Sequence, residues 1–304
     1  MNKITKGGVS RKSLSIALAG TGVGKTLFMT HCAAANLMEG LNVLYITMEM
    51  AEERIAERID ANLLDLTLDD LRYLTRDVYH SRMSSVKKRT NGKLIVKEYP
   101  TASAGANHFR FLLNELKLKK NFVPDMIYID YLNICTSSRL KQGANVNSYT
   151  YIKAIAEELR GLAVEFNVPV FSATQTTRTG FASSDLGLED TSESFGLPAT
   201  ADFMFGLIAS EELEELGQLM VKQLKNRWGD VSSPKRFVIG VDRSRMKLFD
   251  AEESAQQDLV KDTSKKKQQP DRTLMDNTDF GQRAEQDDNI TKFRGNKPKF
   301  EGFA

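Results

Sequence analysis

Cysteine is nearly absent: among 304 residues only Cys32 and Cys135 occur, in no paired spacing. That excludes a disulfide framework and suits a reducing, cytoplasmic compartment. Histidine is as scarce, and His31, His80 and His108 are too scattered for a zinc cluster. No apolar run approaches the ~18 residues of a membrane span, and the amino terminus is polar rather than signal-like. Neither insertion into a membrane nor export is expected. The chain also lacks an excess of either charge, with a formal net charge of +2. Because a near-neutral chain can carry a local basic patch, this balance excludes neither DNA nor protein partners. The length allows one large α/β domain or two small ones.

What is present is concentrated in one stretch. Ala19-Gly20-Thr21-Gly22-Val23-Gly24-Lys25-Thr26 lies between the apolar run Leu14 to Leu18 and a helical pattern from Thr26 to Glu39. This is a P-loop, with Ala19 where a first glycine is usual. Glycines at 20, 22 and 24 let consecutive N–H groups, with those of Thr21 and Val23 among them, turn inward on a nucleotide's phosphates. Lys25 then reaches the β- and γ-phosphates, and the Thr26 hydroxyl holds Mg²⁺. The positive end of the following helix adds to the anion site. The cofactors implied are ATP and Mg²⁺.

Residues 1 to 12 read as a basic lead-in, and Ser13 to Leu18 as the first strand. Asn42 to Thr47 is a second, β-branched strand that closes a β-α-β unit, so the sheet is expected to be parallel. Glu49 stands just past that strand, facing the γ-phosphate from an adjacent strand, before an amphipathic helix over Ala51 to Leu63. Thr67 caps a run of peripheral helices that ends by Gly92. Leu94 to Val96 is a short strand, and Asn107 to Lys119 a helix. Met126-Ile127-Tyr128-Ile129-Asp130 is an apolar strand ending in an acid, the Walker B pattern, with Asp130 on the Mg²⁺ water shell. Tyr131 follows where many ATPases carry the catalytic glutamate, so the base must come from elsewhere, and Glu49 is the candidate.

A polar, basic loop (Ser137 to Gly143) precedes a long helix from Tyr149 to Phe166 and the strand Val168 to Thr174. Gln175 at its carboxyl end reads as a sensor of the γ-phosphate, tied to the loop Thr176 to Leu188. Asp202 to Ala209 is a further strand, and Gln218 to Lys225 with Arg236 to Val241 reads as an antiparallel pair. Lys225 and Arg227, remote in sequence from the P-loop, are candidate fingers presented to a neighbouring subunit's γ-phosphate. Ligands of such open sheets bind at the carboxyl edge. Three stretches result: lead-in 1–12, ATPase domain 13–249, and a charged tail 250–304 whose composition reads as disordered. The last eight residues, Lys297 to Ala304, restore two aromatics and are a candidate docking peptide for a partner.

Together, Ile46 to Met50, the Asp130 strand, Gln175-Thr176-Thr177-Arg178, Asp190 to Ser194 and Lys225-x-Arg227 resemble the motor domain of DnaB-family replicative helicases. Ala51 to Glu53, Arg58 to Asn62, Asn114 to Pro124, Ala154 to Arg160 and Gly196 to Phe203 are closer still to the replicative helicases of T-even-type bacteriophages. The resemblance covers roughly residues 7 to 249, and five motifs in order make it far more specific than a lone P-loop. It implies a RecA-like P-loop NTPase fold with a mostly parallel central sheet and antiparallel strands at its C-terminal edge. It further implies a six-membered ring that translocates 5′ to 3′ on single-stranded DNA in the cytoplasm of an infected bacterium.

In the resemblance Glu49 is the base, Asp130 the Walker B acid, Gln175 the sensor, and Lys225 and Arg227 the fingers. The loops after Asp130 and Gln175 line the channel, so Arg139, Lys141 and Arg178 are expected to meet DNA phosphates. Glu193, Phe195 and Gly196 match channel-loop positions, although Ser192 stands where bacterial members often carry arginine. Primase and a loading protein are the implied partners. The family also has an amino-terminal domain, whereas this chain starts almost at the P-loop strand, so a fragment or a divided gene is expected, with a separate chain supplying that domain. The rival expectations are a RecA-like recombinase, which forms filaments, and a nucleotide-switched replication scaffold.

Overall fold

In the strand Leu14–Ala19 (β1) every residue is buried, the signature of a strand covered on both faces. The computed structural model describes residues 2–141, 146–176, 186–188, 196–232 and 234–252. The chain falls into two units, Met1–Leu259 and Val260–Ala304, and all described residues belong to the first. The expected tail lies outside the described residues from 253 onward.

After a short helix Asn2–Thr5 (α1), β1 leads into Lys25–Met38 (α2) and then Val43–Thr47 (β2). Glu52–Leu64 (α3), Leu68–Tyr73 (α4) and Arg76–Lys87 (α5) follow, the second capped by the Thr67 side chain, which accepts from Asp70 N. Leu94–Glu98 (β3), Ala106–Lys120 (α6), Met126–Asp130 (β4), Ser148–Glu165 (α7) and Val170–Gln175 (β5) continue the alternation. The chain then passes through Phe203–Ile208 (β6), Gln218–Asn226 (β7), Arg236–Asp242 (β8) and Lys247–Asp250 (β9).

These strands form one sheet in the order β3-β2-β4-β5-β1-β6-β7-β8-β9, parallel from β3 to β6 and antiparallel beyond. Alternation along each strand sends side chains to two cores. Leu14, Ile16, Leu44, Ile46, Ile127 and Ile129 meet α6 and α7 on one face. Ala17, Val43, Tyr45, Tyr128, Phe171 and Phe205 meet α2 and α3 on the other. Among the described residues, no helix is long and apolar enough to cross a membrane.

Two features differ from the sequence reading. The β1-α2-β2 unit is not a pair of neighbours, because β5 and β4 stand between β1 and β2. Glu49 therefore extends from a strand adjacent to β4, not to the P-loop strand. The antiparallel pair also gains β9 as a third strand, a four-residue edge element too short to leave a readable period.

The segment leaving β4 is fixed by close backbone approach. Gly105, just before α6, bridges Thr136, and Thr136 N donates to Ala104 O at 2.8 Å. A Cβ at Gly105 would overlap the Thr136 carbonyl oxygen. Gly105→Ala is accordingly expected to lower stability by about 1–3 kcal/mol through overpacking. Urea unfolding checks this as a lower midpoint with an unchanged slope.

Candidate active site

Register aligns the chemistry along the carboxyl edge of the sheet. Ala19 pairs with Gln175 across β1 and β5, and Thr47 pairs with Asp130 across β2 and β4. Met48 N donates to Asp130 O at 2.9 Å, which locks the ends of β2 and β4 together. From this edge the chain turns through Gly22 (φ 80) and Gly24 (φ 127) into α2. Both values lie in the left-handed region that favours glycine. No side chain caps the start of α2, so its first N–H groups remain for an anion.

Lys25, in the first turn of α2, is buried, and its Nζ donates to the carbonyls of Gly20 (3.0 Å) and Ala19 (3.3 Å). Burial lowers its pKa, against the charges of Glu49 and Asp130, which raise it. Thr26 Oγ1 donates to Asp130 Oδ2 at 2.9 Å, and the Tyr45 hydroxyl donates to the same oxygen at 3.0 Å. Asp130 is fully buried, and its other oxygen, Oδ1, has no hydrogen-bond partner. Burial raises its pKa, with the Thr26 and Tyr45 hydrogen bonds opposing. A buried carboxylate with one oxygen unspent, beside a threonine hydroxyl, fits a hard divalent cation. Glu49 lies in the exposed bend after β2, near enough for its charge to act on Lys25, Asp130 and Tyr131. Gln175 Nε2 donates to Tyr131 Oη at 3.1 Å, and the Tyr131 ring centroid lies 5.9 Å from Lys25 Nζ.

Lys25, Thr26, Glu49, Asp130 and Gln175 thus share one edge, with the Gly20 to Gly24 turn. Lys225 and Arg227 do not. Lys225 pairs with Met204, level with Ile16 of β1, and Arg227 N donates to Asp202 O, level with Leu14. Five residues at about 3.3 Å each put Arg227 roughly 16 Å behind Ala19 along the strand direction. There the Arg227 guanidinium pairs with Asp202 at 2.8 Å, a buried carboxylate that also binds Arg160 at 3.1 Å. Lys225 Nζ rests on the carbonyls of Pro198 (2.5 Å) and Ala199 (3.1 Å).

Of the expected DNA contacts, Arg139 is turned onto α7, with ion pairs to Glu157 (2.7 Å) and Glu158 (3.4 Å). Lys141 is exposed. Gly196 is buried, where a Cβ would lie 2.7 Å from Lys153 Cδ. Arg178, Glu193 and Phe195 lie outside the described residues. The sequence reading missed Arg243, in the β8–β9 turn. Its guanidinium lies 3.5 Å from the carbonyl oxygens of both Gly22 and Val23 and pairs with Glu214 at 3.2 Å. Nothing local in the sequence signals this, since it depends on β9 bending the chain back over α2.

The family model for the DnaB-like helicase C terminal domain matches residues 1–233. The chain belongs to this family. A DnaB-like replicative helicase of Enterobacteria phage T4 is 49% identical over 258 residues, covering 84% of this chain and 54% of the phage protein. A probable plasmid replicative DNA helicase of Chlamydia psittaci is 28% identical over 236 residues, covering 74% of this chain and 49% of that protein. This chain therefore spans about half the length of the curated relatives it matches. Among solved structures, the ATPase domain of G40P superposes with a TM-score of 0.69 at 20% identity, covering 83% of this chain and 88% of that one. A DnaB-like replicative helicase described with its interactions with primase superposes at 0.67, also at 20% identity, covering 83% and 60%. Both share the RecA-like fold of this chain, whose own sheet carries antiparallel strands at one edge.

Proposed function

We propose that this chain is the ATP-hydrolysing motor of a replicative DNA helicase, a six-membered ring that moves 5′ to 3′ on single-stranded DNA and separates the duplex ahead. The observation that carries this reading is the division of the parts. One edge of the sheet gathers the Gly20 to Gly24 turn with Lys25, Thr26, Glu49, Asp130 and Gln175, while Lys225 and Arg227 lie toward the opposite edge, out of reach of their own P-loop. A ring brings the far edge of one subunit against the cradle of the next.

In this reading the N–H groups from Gly20 to Gly24 and Lys25 bind the phosphates, Thr26 and Asp130 hold Mg²⁺, and Glu49 orients and deprotonates the attacking water. Mg²⁺, when bound, neutralises charge on the phosphate oxygens. Gln175 senses the γ-phosphate. Arg227 serves the neighbouring site on leaving Asp202, and Arg160 remains to keep that buried carboxylate paired. DNA runs along the segments after β4 and β5, with Lys141, Arg178, Glu193 and Phe195 nearest to it, Arg139 anchoring its loop on α7 and Gly196 packed against Lys153. The neighbour described with its interactions with primase supports primase as a partner. The likeness to a phage protein supports work in the cytoplasm of an infected bacterium.

The test is an unwinding assay on forks with a 5′ or a 3′ single-stranded tail, with ATP and a range of salt. Unwinding of 5′-tailed forks alone is expected, with affinity for single strands falling steeply as salt rises. Filaments with strand exchange, or affinity indifferent to salt, would contradict the reading.

A further inference from the structure

Between Lys25 and Gln175 at the end of β5 stands one side chain to which nucleotide binding and hydrolysis assign no task. Tyr131 directly follows Asp130 and is partly buried at the carboxyl edge. Its ring faces Lys25 Nζ at 5.9 Å, and its hydroxyl oxygen accepts from Gln175 Nε2 at 3.1 Å. Two residues on, Asn133 Oδ1 accepts from Thr174 Oγ1 at 2.8 Å, within the Leu132–Ile134 turn of 3₁₀ helix. The exit of β4 is thus pinned to β5 by two side-chain hydrogen bonds, and one of the four partners also touches the phosphate-binding lysine.

We infer that Tyr131 is a positioning residue that transmits the state of Lys25 to Gln175, and so couples the ends of β4 and β5. This rests on the motor reading above and assigns it a coupling element. As the structure stands, Lys25 is held by the Ala19 and Gly20 carbonyls with the Tyr131 ring alongside. A phosphate draws the ammonium away from those carbonyls, and the ring loses its cation neighbour. Whatever displacement follows reaches Gln175 through the hydroxyl, and the Asn133–Thr174 hydrogen bond carries both strand exits together. Packing alone requires only the ring. The coupling requires the oxygen.

The experiment uses the full chain and compares wild type, Tyr131→Phe, Tyr131→Leu and Gln175→Ala. ATP turnover is measured with and without oligo(dT), together with KM for ATP and the melting temperature. Tyr131→Phe keeps the ring, so its KM for ATP is expected to stay within roughly twofold of wild type while the ratio of DNA-stimulated to DNA-free turnover falls about fivefold or more. Gln175→Ala should lower the ratio alike, and Tyr131→Leu should in addition raise KM, a defect that phenylalanine rescues. A wild-type ratio in Tyr131→Phe overturns the inference, as does an equal loss of turnover with and without DNA. If Gln175→Ala lowers the ratio and Tyr131→Phe does not, the inference falls and the motor reading stands. A wild-type protein with no response to DNA overturns both.

Discussion

Lys25→Ala protein is expected to lose ATP turnover by about 10³-fold or more, and Glu49→Gln protein to lose about 10²- to 10⁴-fold while still binding ATP. The two differ in what they remove. Lys25 is the buried cation at the start of α2, and it already sits on carbonyls that a phosphate would displace. Alanine there takes away charge that both ground state and transition state use, so nucleotide affinity falls along with turnover. Glu49 is exposed in the bend after β2, where its charge reaches Lys25 and Asp130. Glutamine keeps its size and polarity but cannot take a proton, so binding persists and hydrolysis stops. Titration with a fluorescent ATP analogue, beside steady-state turnover, separates the two patterns. Glu49→Gln protein hydrolysing at the wild-type rate would dismiss Glu49 as the base.

The P-loop, the buried Asp130, Glu49 and Gln175 were legible because each is a local signal. Apolar strands that end in a polar residue place that residue at the carboxyl edge whatever the strand order. Gly22 and Gly24 announced the turn because other residues rarely take their backbone angles. Strand order itself was not legible. That β4 and β5 fill the space between β1 and β2 is decided by which helices cover which face, a long-range matter that no window of sequence contains. For the same reason the ion pairs of Arg139 with Glu157 and Glu158, and the approach of Arg243 to the P-loop, join residues that look like ordinary surface charges in the sequence. Tyr131 was visible only as a residue standing where a catalytic glutamate is usual. Its contacts with Lys25 and Gln175 follow from β1, β4 and β5 ending side by side.

If each ATP site is completed by the next subunit, two proteins that are inactive alone should recover turnover when mixed. Lys25→Ala rings have intact fingers but no competent cradle, and Arg227→Ala rings have the reverse, so each alone lacks one part at every interface. In an equal random mixture, about a quarter of interfaces join an intact cradle to an intact finger. ATP turnover should therefore reappear, at roughly a quarter of the wild-type value if sites act independently. Subunit exchange is followed in the same samples with two fluorescent labels. If exchange is complete and turnover stays at the level of the parents, the cation that completes the site comes from the same chain. Arg243, 3.5 Å from the Gly22 and Val23 carbonyls, would then be the residue to replace, and the site would not be shared between subunits.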